Sequence, residues 1–539
     1  MRIAILGAGV GGLTAAHELA KEGHEVHVYE RNPEVGGQAR SRFTHDGQHS
    51  EYCWHVIVVG YVSCLSILQE IPCEGGSVAD RLKPILQFAY GRDGNTYLVE
   101  RDNSFMSTNS IISWLRNLKH LGSKFTLADM LKLLILKLFI KTAVPERFEH
   151  YDSITWMNFM DSLSSEAKKW VVDSPSIFLG MDATRMSTQL MLNYFGRDAR
   201  STDFGQRRLK NGNLPHHYSF NGPINQQWFE PWVQYLQKQG VLFFMNTTVK
   251  EIECMDNEIK GVSVADGNGE RYLQYDYYVN GLSVEGFARA LTGTPQLKER
   301  MEELGHLSCQ LQTQVVYGFQ EKFSFDFPTV LYFPDTAWTI AVRTEAPLWD
   351  SPMGLNQEPP QEMFSAGIGI WHRKGILYDK PARECTEQEI IDEVWAQIKR
   401  SQGLFQHFKT EDGLTLDEVN YTQATIWHSF SYNQESGTFN TWEPKFSNNV
   451  GTLALRPPIK DAHLSNLVHA NAYALTDSNI FNLDSAAEAG IRAANYINTG
   501  QADSNVKKFV QPGWFWRICQ YFDSFLHQFG LKNPFELFL

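Results

Sequence analysis

The chain has 539 residues, 43% of them hydrophobic and 20% charged, with a formal net charge of −13. This is the composition of a globular protein large enough for several domains. The acidic balance excludes a nucleic-acid partner, which needs a basic face for the phosphates, and no run of about 18 apolar residues is present to cross a bilayer as a helix.

Residues 2–6 form a short apolar run of strand length, Gly7-Ala8-Gly9-Val10-Gly11-Gly12 follows, and residues 13–20 read as helix. A second strand over 24–29 ends on Glu30. Strand, glycine turn, helix, strand and acid in that order make a dinucleotide-binding unit. Gly7 permits the tight turn, Gly9 lets a pyrophosphate lie against bare backbone, and Gly12 lets helix and strand pack closely. The helix start offers unpaired N–H groups and a partial positive charge, and Glu30 can accept from ribose hydroxyls. Gly7, Ala8, Gly9, Gly11, Gly12, Glu30 and Arg31 are therefore the expected cofactor-binding residues of this unit, which alone does not choose between NAD and FAD. The cysteines, at 53, 64, 73, 254, 309, 385 and 519, are odd in number and lack a CxxC pair. They are expected as reduced thiols, with no zinc or other metal site. With the first strand at residue 2 and no leader ahead of it, a cytoplasmic location is expected.

A second glycine pair follows at Gly36-Gly37-Gln38, with Arg40 two places on. The two parts together resemble the N-terminal signature of the FAD-dependent amine-oxidase and phytoene-desaturase superfamily. The resemblance implies FAD as cofactor, with Gly36, Gly37, Gln38 and Arg40 along its phosphates; Gln38 stands where a basic residue is usual. Residues 43–71 continue the likeness to phytoene and zeta-carotene desaturases, with Asp46-Gly47, then Trp54-His55, an apolar stretch and Gly60-Tyr61. His55 is then either beside the flavin or a core histidine tied to backbone.

Residues 82–99 alternate around Gly91-Arg92-Asp93-Gly94-Asn95, a hairpin signal. Residues 103–145 carry Arg116 and five lysines against one acid, and residues 130–141 are apolar apart from Lys132, Lys137 and Lys141. Such a helix either lies in a membrane interface with its lysines reaching the headgroups or packs on its own domain with them in water. Residues 153–195 resemble the family's helices over the substrate tunnel. Residues 222–282 resemble its return to the cofactor domain, where Val249 would hold the adenine through its backbone. Residues 313–319 and 329–333 read as strands, 345–363 as a surface loop, and Thr386 with Glu389 as a capping box opening a helix to residue 398. Residues 463–494 resemble a third return, with Asn466-Leu467, Asp484, Gly490 and Ala493-Ala494 in pattern, but Asn471-Ala472 stand where the family has Gly-acid. Either Asp477 or Asp484 substitutes for that acid, or flavin affinity is reduced, or no flavin is bound. In the tail, Phe515, Ile518, Phe522, Phe525 and Phe529 share one helical face, suited to a membrane interface or to docking on protein.

The expected architecture is α/β. A discontinuous Rossmann-like FAD-binding domain of the amine-oxidase type (1–100, 222–310, 450–500) is interleaved with an α+β substrate and helical cap domain (101–221, 311–449), including a membrane-facing helical segment, and an amphipathic aromatic tail (501–539) follows. The resemblance implies an oxidoreductase that desaturates or isomerises a long apolar, carotenoid- or isoprenoid-like substrate by hydride transfer to flavin. Electrons would leave to a membrane quinone or oxygen, on a protein bound peripherally to a membrane, with His55 and Arg185 as candidate catalytic residues. Two alternatives stand beside it: a flavin amine oxidase, and a lipid- or carotenoid-binding scaffold that has lost flavin.

Overall fold

The computed structural model describes every residue except 59, 86, 93–94, 101–124, 205–216, 326–329, 335, 402–407, 505 and 507–513. One unit is built on a five-stranded parallel sheet, ordered Leu242–Phe244, Glu25–Tyr29, Arg2–Leu6, Tyr277–Asn280, Leu467–His469. Its strands come from three separate stretches of the chain. The central strand is covered on both faces, which is why it reads as an apolar run over residues 3–6. Ile3 and Ile5 face a core shared with helices Val10–Lys21 and Leu483–Thr499. Ala4 and Leu6 face a second core, shared with a four-stranded sheet and helices Val284–Ala290 and Pro295–Ser308.

The other unit is a seven-stranded sheet, ordered Asn95–Glu100, Gln87–Arg92, Val330–Phe333, Ile340–Thr344, Glu362–Ile368, Gln314–Phe319, Gln423–Ile426. Helix Glu387–Arg400 packs on one face. The other face meets an apolar cluster from helices Leu127–Thr142, Trp156–Phe159 and Thr188–Phe204 and the segments between them.

Several expectations shift. The helix after the glycine turn is longer, Val10–Lys21, because it starts within the turn itself. The hairpin is formed by Gln87–Arg92 and Asn95–Glu100, but it extends the seven-stranded sheet, so the first cofactor segment ends before it and not at 100. His217–Phe220 pairs with Ile57–Val58 and Leu82–Ile85 in a three-stranded sheet at the junction of the units. Residues 345–363 are not wholly a surface loop: Glu345, Trp349 and Glu362 are buried. Glu362 closes the neck of the loop by accepting the N–H groups of Glu345, Ala346 and Met363 at 3.0, 3.0 and 2.8 Å. The Thr386–Glu389 capping box is present, and its helix runs on to Arg400.

The tail helix, Trp514–Gln528, docks through its polar side. Asp523 is buried and meets Arg147 at 3.0 Å, Asn533 donates to the same carboxylate at 2.8 Å, and Glu536 meets Arg147 at 3.1 Å. The opposite side is left outward: Phe515, Ile518, Phe522, Phe525 and Phe529 are each more than half exposed. Helix Leu127–Thr142 also shows apolar side chains to solvent, at Leu127, Leu131 and Leu134. Its lysines do not all reach outward. Lys132 donates to the Phe159 carbonyl at 3.2 Å, and Lys141 is buried with its ammonium 5.1 Å from the Trp516 ring centre. Arg116, Lys119 and Lys124 of the basic block lie outside the described residues. Among the described residues no helix is long and apolar enough to cross a membrane.

The contact between the first helix and helix Leu483–Thr499 has no spare room. A Cβ on Gly490 would lie 2.5 Å from the Gly11 carbonyl oxygen and 2.6 Å from the Thr14 Cβ. Gly490→Ala is therefore expected to destabilise the fold by about 1–3 kcal/mol, as overpacking does, read as a lower urea midpoint with an unchanged slope.

Candidate functional site

Four glycines of the first turn divide into two kinds. A Cβ on Gly7 would lie 2.6 Å from the Gly281 oxygen, on Gly11 2.1 Å from the Ala470 oxygen, and on Gly12 2.2 Å from the Gly7 oxygen. These three are bare because backbone presses on them. At Gly9 a Cβ would meet nothing within 4 Å. Gly9 is the residue before helix Val10–Lys21, and no side chain caps that helix start, so its first N–H groups stay available to an anion. The second glycine pair closes this cradle from the far side. The Gly36 N–H donates to the Ala8 carbonyl at 2.8 Å, and a Cβ on Gly37 would stand 3.2 Å from the Gly9 Cα. Gly36 and Gly37 have φ of +113° and +58°, a region that favours glycine.

Glu30 lies at the end of the adjacent strand and is buried. One carboxylate oxygen accepts from the Ala8 N–H at 2.9 Å; the other accepts from the Asn32 backbone and side-chain N–H groups at 2.9 and 2.7 Å. The acid is thus fixed to the glycine turn and keeps lone pairs for hydroxyl groups. The Thr247 N–H donates to the Glu30 carbonyl at 2.8 Å, and the half-buried Val249 lies two residues further on, in strand Thr248–Met255. An open, side-chain-free hollow at a helix start with an oriented acid beside it fits the pyrophosphate and ribose of a dinucleotide.

The basic residues beside the cradle converge on Glu443, a residue that sequence reasoning missed. Arg40, buried, donates from Nη2 to Glu443 Oε1 at 2.6 Å and from Nη1 to the Gly37 carbonyl at 2.8 Å. Arg31 reaches the same carboxylate at 3.4 Å and lies over the Trp442 ring. Gln38 donates to the Pro444 carbonyl at 2.8 Å, Trp427 Nε1 to Glu443 Oε2 at 2.9 Å, and the Tyr52 hydroxyl to the Glu443 carbonyl at 2.9 Å. Burial pushes the Glu443 carboxyl up, but Arg40 and the Trp427 N–H outweigh it and hold it below its ordinary range. Glu443 lies some four hundred residues beyond Arg40 in the chain, so no local pattern could have linked them.

The third return is arranged differently from its expectation. Asp484 is buried and accepts the Ser63 and Cys64 N–H groups at 2.8 and 2.9 Å, capping helix Val62–Glu70. Asp477 pairs with Arg492 at 2.6 Å. Asn471 donates to the Asn280 carbonyl and accepts from the Ala474 N–H, both at 3.0 Å. It stitches two strand ends where an acid was expected.

His55 is half-buried, in the segment that follows strand His49–Glu51. Its Nε2 is 3.8 Å from Cys53 Sγ and its Nδ1 3.8 Å from a Glu51 carboxylate oxygen, and its carbonyl accepts from Arg343 Nη1 at 3.1 Å. Arg343 also meets Glu51 at 3.4 Å and Glu345 at 2.9 Å, all three buried. Burial pulls the imidazole down, yet Cys53 and Glu51 raise it to about 9. Glu51 is held far below the carboxylate range by His49, His55 and Arg343 in spite of its burial. The neighbouring Trp54 and Val56 pack against the apolar cluster of Trp156, Met160, Met186 and Tyr332. Arg185 is not brought to this place: it is exposed and donates to the Leu307 carbonyl at 3.0 Å. Elsewhere, the buried His17 meets Glu18 and the exposed Glu70. The His17 ring accepts from Trp232 through Nδ1 and so donates to Glu70 through Nε2, which leaves no ring lone pair for a metal.

A family model described as flavin containing amine oxidoreductase matches residues 10–498. A probable zeta-carotene desaturase of Synechococcus elongatus is 25% identical over 313 residues, 54% of this chain and 60% of that protein. The zeta-carotene desaturase of Capsicum annuum is 23% identical over 450 residues, 75% of this chain and 70% of that protein. The matched region spans about 60% of the length of the cyanobacterial relatives. Among solved structures, putrescine oxidase bound to putrescine aligns with TM-score 0.58 at 15% identity, over 92% of this chain and 98% of that one. Reduced UDP-galactopyranose mutase aligns with TM-score 0.58 at 14% identity, over 94% and 97%. At these identities the structural likeness speaks for the fold alone.

The hollow at Gly9 gives a clean test. Gly9→Ala should leave the unfolding midpoint of cofactor-free protein unchanged, because the methyl meets no protein atom, and should weaken flavin binding about tenfold or more by filling the hollow. Flavin fluorescence titration of the two proteins checks it.

Proposed function

The chain belongs to the flavin-containing amine oxidoreductase family, with FAD as its cofactor, and on that footing we propose that it desaturates or isomerises a long apolar, carotenoid- or isoprenoid-like substrate. The observation that carries this reading is the apolar cluster between the seven-stranded sheet and its covering helices, against which Trp54 and Val56 of the His55 segment pack. The relatives named as zeta-carotene and phytoene desaturases support it.

In this reading Gly9, Gly36, Gly37 and the N–H groups at the start of the first helix hold the pyrophosphate. Glu30, fixed by Ala8 and Asn32, takes the ribose hydroxyls, and the backbone near Val249 borders the adenine. Gly7, Gly11 and Gly12 keep the turn closed. Arg31, Gln38 and Arg40, gathered by Glu443, set the far wall, and Asp484 holds the helix that follows the His55 segment. Bound there, FAD supplies a two-electron acceptor for a hydride. The chain's own task is then to orient a carbon skeleton that offers no charge to grip, by shape and water exclusion. His55, kept cationic by Glu51 and Cys53, is a proton-bearing group in the same segment as Trp54 and Val56. A quinone or oxygen would be the final electron acceptor.

An apolar substrate of this kind resides in bilayers, and we assign the outward aromatic face of Trp514–Gln528, with Leu127, Leu131 and Leu134, to a peripheral membrane contact. Two outcomes are expected. The purified protein is yellow, and zeta-carotene in liposomes bleaches its flavin absorbance without oxygen; peroxide released on adding amines would favour the amine-oxidase reading instead, and a colourless protein the scaffold. Phe522→Asp with Phe525→Asp lowers the fraction that sediments with anionic liposomes, on the order of tenfold or more per ring lost from the apolar face, while the folded circular-dichroism spectrum is kept.

A further inference from the structure

Gln38 stands where a basic residue is usual, and its amide is spent on the Pro444 carbonyl at 2.8 Å. A cation follows two places on. Arg40 is 1% exposed, and its guanidinium is held from three directions. Nη1 donates to the Gly37 carbonyl at 2.8 Å, Nη2 donates to Glu443 Oε1 at 2.6 Å, and Cζ lies 5.1 Å from the Trp427 ring centre. Nε is buried too, yet it finds no acceptor among the described residues. A buried donor on a charged group is costly to leave unpaired, so this N–H is suited to a ligand. Its surroundings say which kind. A Cβ on Gly37, whose carbonyl Arg40 grips, would stand 3.2 Å from the Gly9 Cα, so the guanidinium is one residue removed from the hollow at the uncapped helix start. Arg31 and Arg40 share the single carboxylate of Glu443, and Arg42 already meets Glu34 at 3.7 Å. Glu30 makes hydrogen bonds to the Ala8 and Asn32 N–H groups and no ion pair among the described residues. An unspent donor on a cation that has only half a carboxylate, beside free helix N–H groups, fits an anionic oxygen.

Glu443 is itself fixed. Its Oε2 accepts from Trp427 Nε1 at 2.9 Å, its carbonyl accepts from the Tyr52 hydroxyl at 2.9 Å, and its N–H donates to Thr441 Oγ1 at 3.0 Å. Trp442, before it, has the Arg31 guanidinium 4.8 Å from its ring centre; Pro444, after it, holds Gln38. Three consecutive residues therefore each grip a residue of the segment that carries the second glycine pair. We propose that Arg40, through its Nε–H, supplies the cofactor's pyrophosphate with the cation that position 38 lacks, and that Glu443 is the positioning residue that holds Arg40 there. This rests on FAD as the cofactor and is independent of the desaturase reading. A carboxylate cannot itself bind a phosphate and by its charge alone repels one, so Glu443 can favour the cofactor only through Arg40, and that gives its removal a sign to test.

The full-length protein, freed of flavin, is titrated with FAD and with ADP, a probe that carries the pyrophosphate without the flavin. Arg40→Met should weaken both about 10- to 100-fold, the range of one charge-assisted hydrogen bond. Glu443→Gln should weaken both about tenfold or more. Acting through Arg40, it should add nothing further: the double variant binds no worse than Arg40→Met alone. Tighter or unchanged binding in Glu443→Gln, as a purely electrostatic neighbour would give, overturns the positioning role, and so do additive losses, as a merely structural role would give. Unchanged binding in Arg40→Met overturns the phosphate contact, and a loss for FAD with none for ADP overturns its assignment to the pyrophosphate. If these proteins do not fold, judged by circular dichroism, Arg40→Lys, which keeps the charge without an Nε–H, and Glu443→Asp, which draws the carboxylate back, enter the same cycle with the same signs expected. A wild type that binds neither compound overturns the flavin cofactor itself, a result distinct from all of these.

Discussion

Everything in this molecule converges on a place where side chains are forbidden. The start of helix Val10–Lys21 is held against backbone by Gly7, Gly11 and Gly12, with carbonyls of Gly7, Gly281 and Ala470 within contact of where a Cβ would be. Residues 281 and 470 follow the two strands that complete the parallel sheet, and Gly490 lies on the helix that crosses the first. Three returns of the chain are therefore registered against one another by main-chain contacts that tolerate little displacement. The one glycine of the group at which an added Cβ would meet nothing, Gly9, lies between them. The hollow is a by-product of this close packing, so its shape is rigid before any ligand enters.

Charge inside the protein is managed by pairing across the same junction. Glu443 gathers Arg31 and Arg40 from the cofactor unit while itself lying in the bend between strands Thr438–Thr441 and Lys445–Phe446. Arg343 binds Glu51 and Glu345 on either side of the His55 segment. Such buried pairs contribute little net stability against an apolar alternative, but losing one partner strands the other at a cost of about 3–5 kcal/mol. Their effect is to fix how the two units sit, because each charge finds its complement in one arrangement only.

The sequence made the parallel sheet legible because a strand buried on both faces is an apolar run, and the glycine turn because only glycine survives such contacts. Val330–Phe333, Gln314–Phe319 and the Thr386 cap could be read for the same local reasons. What could not be read is long-range. Glu443 carries no mark of its partners, and Lys445 looks like any surface lysine until Leu179 and Gly180 enclose it. Glu345 and Glu362, in a stretch rich in Pro and Gly, suggested solvent; Glu362 is buried on backbone N–H groups that close the loop upon itself, and Glu345 on Arg343 and Ser365. The departure at Asn471-Ala472 was visible, but its meaning was not: Asn471 serves the Asn280 and Ala474 backbone.

The docking of the last helix has a further consequence. Amphipathic segments commonly float as coil and gain order only on meeting a surface, so part of the gross attraction is spent on ordering them. Here Asp523, locked to Arg147 and Asn533, has settled that conformational entropy in advance. The aromatic blade is already helical and already oriented outward, so any apolar phase it meets receives it as a rigid body, and its orientation there is dictated by the body of the protein to which it is riveted.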